Sequence, residues 1–128
     1  MHRYLGRHAE IGYALLRVVT GLMFAQHGAQ KVLGLLGGHK PPIASLFGLA
    51  GIIELVGGLL VAVGLLTSWA AFVCAGEMAV AYFMAHAPQG FWPLLNKGEL
   101  AVLYCFVFLY LATRGGGRYS VDGSMRRS

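Results

Sequence analysis

Ionisable side chains inside apolar runs are the first residues of this chain that invite chemistry. Glu54 and Glu77 are each the only charge in a long apolar stretch, Arg17 and Lys31 interrupt another, and Glu99 opens the last. A charge at the centre of a bilayer costs about 2.5–3.5 kcal/mol on insertion scales, so such a residue needs a partner, a proton or a task. His27 and His86 add side chains that titrate near neutral pH and can carry protons.

Depth sorts these residues into two layers. With a rise of about 1.5 Å per residue, Arg17 lies roughly 9 Å and Glu77 about 12 Å from one face, and Glu54 about 16 Å from the other. An inner layer is therefore expected, with Arg17 and Glu54 as an intramembrane charge pair and Glu77 as a secondary member. The outer layer holds His27, Lys31, His86, Asn96, Lys97 and Glu99. Of these, His27, Lys31, His86, Asn96 and Glu99 are the candidate ligand-binding residues. A Lys or His can hydrogen-bond a quinone carbonyl or hold an anion such as a sulfur oxyanion. At about 100° per residue, Arg17, Thr20, Phe24, His27 and Lys31 share an arc of roughly 80°, so one stripe of the first helix faces both layers. Glu77 projects from the opposite side of its helix to His86 and Tyr82, which sets it apart from the outer cluster. The plainer alternatives are a structural ion pair that serves specificity and ordinary interfacial polarity.

Other chemistries find little footing. There is no Walker motif, dinucleotide fingerprint or nucleophile elbow, and no CxxCH for haem attachment. A metal at His27, His86 and Glu99 is the weaker reading of those residues, and no metal site is expected. Cys74 and Cys105 form no CxxC and read as small core residues. The net charge of +5 comes from cations at the chain ends and in loops, without an RNA-binding motif, so nucleic acid is not an expected partner.

The elements that must hold these residues are helices in lipid. The chain has 128 residues, 57% hydrophobic and 12% charged. A soluble domain carries about 25% charged residues. About 20 apolar residues cross the hydrocarbon core. Apolar runs predict helices over residues 11–33, 43–66, 69–86 and 94–113, the last starting near Pro93. Gly34, Gly37, Gly38, Pro41 and Pro42 break the first link, Thr67 and Ser68 form a tight second one, and Pro88, Gly90 and Pro93 mark the third. Glu10 and Arg17 interrupt the first run and no small-residue cleavage site follows it, so it reads as a retained helix. Arg3, Arg7, Arg114, Arg118, Arg126 and Arg127 cluster at the two ends of the chain, whereas Lys31, Lys40 and Lys97 are the only cations of the first and third loops. The positive-inside rule then puts both termini in the cytoplasm. Phe91 and Trp92 suit the outer aromatic belt, and Trp69 the inner one. Gly48, Gly51, Gly57, Gly58 and Gly64 supply close helix contact in the second run. The predicted fold class is all-α, a four-transmembrane-helix bundle over residues 1–122, with a polar basic tail over 114–128.

Taken together, these residues are similar to the DoxX family of small bacterial and archaeal membrane proteins. The resemblance runs from Arg17, Gly21, Phe24, His27-Gly28 and Lys31 through Glu54 and Gly57-Gly58 to His86 and Gly90. It continues with Gly98-Glu99 and Tyr104 and ends on the tail Gly115-Gly116-Gly117-Arg118-Tyr119-Ser120-Val121-Asp122, with Val121 where the family pattern has Leu. Glu77 is not part of that pattern. The resemblance implies four helices in the prokaryotic cytoplasmic membrane and a link to quinone-dependent redox chemistry. Related DoxD-like subunits belong to a thiosulfate:quinone oxidoreductase, and some members associate with thiol and superoxide defence. No motif supplies an intrinsic redox centre, so the expected role is a non-autonomous, redox-associated subunit that binds a quinone or similar lipophilic molecule. The alternatives are a small-molecule or proton-coupled transporter, which would need a homo-oligomer, and an assembly partner of another membrane protein or redox enzyme.

Overall fold

The computed structural model describes residues 2–33, 46–86 and 98–127, and every regular element among them is helical. Helix α1 (His2–Leu5) and a 3-10 turn (Gly6–His8) lead into α2 (Ala9–Leu33). The second rod is composite: α3 (Leu46–Ile52), a π turn (Ile53–Gly57) and α4 (Gly58–Val63) follow without a break. The third is α5 (Thr67–Ala81), which ends in a second π turn (Tyr82–His86). Helix α6 (Glu99–Arg114) and the short α7 (Val121–Arg127) complete the chain. The breaks expected at Gly34, Gly37, Gly38, Pro41, Pro42, Pro88, Gly90 and Pro93, the belt residues Phe91 and Trp92, and the candidates Asn96 and Lys97 lie outside the described residues.

The second link is three residues earlier than the sequence suggests. Gly64 takes a left-handed conformation at φ 77°, and its N–H and that of Leu65 both donate to the Leu60 carbonyl at 2.9 Å. Only glycine adopts that conformation without a Cβ penalty, so the rod stops there. Thr67 and Ser68 are therefore not the link but the first turn of α5. The Thr67 N–H donates to the Asp122 carboxylate at 2.9 Å, and the Thr67 hydroxyl donates to the same oxygen at 2.8 Å. A residue from the end of the chain thus caps the third rod.

Rods one and two pack antiparallel, backbone against backbone. A Cβ built on Gly21 would stand 2.6 Å from both the Ala62 nitrogen and the Gly58 oxygen. One on Gly58 would stand 2.6 Å from the Gly21 oxygen. Gly28 meets Leu55 and Gly51 in the same way further along. In lipid, apolar burial gives helices little reason to associate, and such close approach supplies the dispersion contact instead. Rod four closes on rod one through rings: Phe24 meets Phe108 at 4.8 Å and Tyr104 at 5.2 Å between centroids.

The outer surface is apolar. Leu15, Val19 and Leu22 on α2, Val56, Leu59 and Val63 on the second rod, Phe72 and Phe83 on the third, and Leu103 and Phe106 on α6 are all exposed. Thr67–Met84 is the one stretch among the described residues both long and apolar enough to cross a membrane, and only 28% of it is buried. The core helix of a soluble protein would be mostly buried, whereas most of this one faces outward.

The segment expected to be a polar basic tail is docked on the bundle. Tyr13 donates to the Gly115 carbonyl at 2.5 Å, the Arg118 N–H donates to Glu10 at 3.2 Å, and Glu10 also pairs with Arg114. The start of α2, the α4–α5 turn and the segment after α6 therefore meet at one end of the bundle.

Candidate functional site

Arg17 belongs to that end and not to a ligand site. It is 2% exposed, and its guanidinium donates to four carbonyls: Val61 at 2.9 Å, Ala62 at 3.2 Å, Gly116 at 2.7 Å and Tyr119 at 3.0 Å. The planar fork of donors suits this job, since it joins α2, α4 and the docked segment without a carboxylate. The expected Arg17–Glu54 pair is thereby corrected. Arg17 lies level with Val61, whereas Glu54 lies near Gly28, about 16 Å further along α2 by helical rise.

Glu54 pairs with Lys31 instead, at 2.7 Å. The Glu54 side chain is 2% exposed and that of Lys31 34%. Glu54 sits in the π turn of the second rod, an insertion that helices often carry at functional sites. The long Lys31 stem runs along Gly51, where there is no side chain to block it, before the ammonium reaches the carboxylate.

Beside this pair lies a half-open cavity of about 720 Å³. That is within the usual range of small-molecule sites, about 300–1,000 Å³. Its walls are mainly aliphatic and aromatic, with Ile53, Val73, Met84 and Leu100 among them. Its polar groups come from all four rods: His27 and Lys31 from α2, Glu54 from the π turn, Glu77 from α5 and Tyr104 from α6. His27 stands edge-on to the Tyr104 ring, 6.2 Å between centroids. The Glu77 and Glu54 carboxyls both line this cavity.

Four buried side-chain atoms among the described residues make no hydrogen bond: Glu54 Oε1, both carboxyl oxygens of Glu77, and the Tyr104 hydroxyl. All belong to residues that line this one cavity. Buried polar atoms are satisfied in the large majority of cases, so a cluster of exceptions needs an explanation. Two carboxylates and one ammonium also leave a net negative charge that a proton or a ligand must balance.

The sequence expectations are redistributed accordingly. His27 and Lys31 line the cavity. Glu54 joins them from the supposed inner layer, and Glu77, set apart on helical phase, faces them as well. The π turn shifts the phase of the second rod. Glu99 does not join: it is exposed and lies with Leu103 and Phe106 on the outer side of α6. His86 ends the second π turn, with its side chain outside what is described, as is Asn96. Tyr104 is the member that residue-type reasoning passed over. Its signal is the buried stripe Ala101, Tyr104, Phe108 and Leu111 of α6, in which it alone carries a polar tip. No three His, Cys, Asp or Glu side chains converge as a metal site among the described residues.

Comparison with known proteins agrees with this arrangement at the level of family. The DoxX family model matches residues 12–87. A Haemophilus influenzae protein named "Uncharacterized protein" is 42% identical over 116 residues, 85% of this chain and 87% of that protein. A Bacillus subtilis protein named "Putative oxidoreductase CatD" is 29% identical over 128 residues, 92% of this chain and 90% of that protein. No solved structure matches the chain. With most of α2 through the third rod inside the matched family model, and a relative of 42% identity along most of its length, the chain belongs to the DoxX family of membrane proteins.

Proposed function

We propose that this protein is a redox-associated subunit of the prokaryotic cytoplasmic membrane, spanning it four times and binding a quinone-class molecule in the cavity between its rods. The observation that carries the reading is the convergence of the four unpartnered buried polar atoms on one apolar-walled cavity. A quinone pairs an apolar body with polar oxygens at its ends, which is the pattern these walls complement. Lys31, His27 and the Tyr104 hydroxyl are the donors available to carbonyl oxygens, and Glu54 and Glu77 are the adjoining proton-holding groups. When bound, a quinone would supply two-electron redox chemistry that the chain's own side chains lack. The oxidoreductase name of the B. subtilis relative favours the same class.

Orientation rests on the cations at the docked end of the bundle, which favour the cytoplasm for both termini. A transport path finds less support. Below the cavity, Phe24, Tyr104 and Phe108 pack ring on ring, and the Arg17 clasp fills the end beyond them.

The test is to purify the full chain in mild detergent, extract it with organic solvent and identify bound lipophilic molecules by mass spectrometry. A near-stoichiometric quinone, diminished in Tyr104→Phe and His27→Ala, is the expected result. Bulk phospholipid alone, with no quinone binding on add-back, would overturn the reading.

A further inference from the structure

The unpartnered atoms of the cavity are unevenly divided between donors and acceptors. Three of the four are carboxyl oxygens, and the fourth is a hydroxyl that can serve either way. The strongest donor, the Lys31 ammonium, already gives one of its three N–H bonds to Glu54 Oε2 at 2.7 Å. One proton added to this pair of carboxyls still leaves a Glu77 oxygen without a donor. What these carboxyl oxygens lack is hydrogen-bond donors. An oxidised quinone brings only acceptors, whereas its hydroquinone brings two hydroxyl donors.

We propose that the cavity selects the reduced, hydrogen-bond-donating form of a quinone-class ligand, with Glu77 accepting from one of its hydroxyls. The proposal rests on the quinone reading above and adds a redox-state preference and a residue that sets it. Glu77 fits the role by position. It comes from α5, across the cavity from α2, and both of its oxygens are buried without a donor. Glu54, held by Lys31, has one oxygen left and cannot turn it freely. A buried acceptor left dry by the wrong ligand is penalised strongly enough to give about tenfold discrimination or more. By linkage, each tenfold preference for the hydroquinone raises the potential of the bound two-electron, two-proton couple by about 30 mV. The site would then hold the couple toward its reduced form.

The experiment measures binding of one short-chain benzoquinone and of its hydroquinone, the latter under argon with a chemical reductant, to the detergent-purified full chain. The wild type is expected to bind the hydroquinone at least about tenfold tighter. Glu77→Met, which removes the acceptor at similar length, should bring the two affinities within about threefold. Glu77→Asp, which keeps the acceptor, should retain the preference with weaker binding, and it serves if the Met variant fails to fold. Equal or tighter binding of the oxidised form by the wild type would overturn the preference while leaving the cavity a quinone site. An unchanged ratio in a folded Glu77→Met protein would overturn the role of Glu77. Binding of neither form would overturn both this proposal and the reading beneath it.

Discussion

Lys31 holds the least sheltered position in the cavity and the most consequential one. Its ammonium is the one cation paired with Glu54, whose side chain is almost wholly removed from solvent. Removing one partner of a fully buried pair costs roughly 3–5 kcal/mol, and exposed pairs contribute about 0–1 kcal/mol. With a third of the lysine side chain exposed, Lys31→Met is expected to cost about 1–3 kcal/mol in a reversible detergent unfolding assay. Glu54→Gln should recover part of that loss in the double variant, with a coupling of at least about 1 kcal/mol. Strictly additive effects would dissolve the pair. The identities of most of these residues were legible in the sequence, because a charge in an apolar run stands out from its neighbours. Their pairing was not. Depth counted from the ends of apolar runs put Arg17 and Glu54 in one layer, whereas the register is set by glycine contacts such as Gly21 on Gly58. Tyr104 was hidden differently: a tyrosine in a buried stripe looks like packing until its hydroxyl is found without a partner.

At the scale of elements, close approach rather than hydrophobic burial holds rods one and two together, and glycines differ sharply in what they do. Gly21 is pressed against the Gly58 and Ala62 backbone, so even one added methyl group has no space and the rods must part. Gly12 is in the same helix, and a Cβ there meets nothing within 4 Å. Gly21→Ala is therefore expected to destabilise by about 1–3 kcal/mol, as overpacked sites do. Gly12→Ala should be neutral or stabilising by up to about 1 kcal/mol, the helix-propensity gain of alanine. Thermal unfolding of the two variants side by side separates contact from propensity. If Gly21→Ala melted with the wild type, the backbone-on-backbone crossing would be wrong. Helix content was readable from composition and run length. The π turn at Glu54 was not, because a one-residue insertion in a helix leaves no mark in an apolar pattern. Nor was the cap from Asp122 onto Thr67, which joins residues far apart in sequence.

For the molecule as a whole, the two ends of the bundle are built for different environments. At one end Arg17 donates to α4 and to the Gly116 and Tyr119 carbonyls, while Asp122 caps α5, so chain ends and turn form a tied plate. Arg3, Arg7, Arg114 and Arg118 belong to that end by their place in the chain, and cations of this kind are retained on the cytoplasmic side. The cavity lies toward the other end, so in the proposed orientation a ligand would enter from the outer half of the bilayer. Cysteine accessibility tests this directly in a Cys74→Ala, Cys105→Ala background. Ser124→Cys, exposed in α7, should resist a membrane-impermeant maleimide in intact cells or right-side-out vesicles and react in inverted ones. Gly38→Cys, between rods one and two in sequence, should show the opposite pattern. Labelling of both from one side would leave an odd number of crossings between them unsupported. The reversed pattern would turn the cavity toward the cytoplasmic leaflet and place its ligand exchange on the side of soluble redox partners.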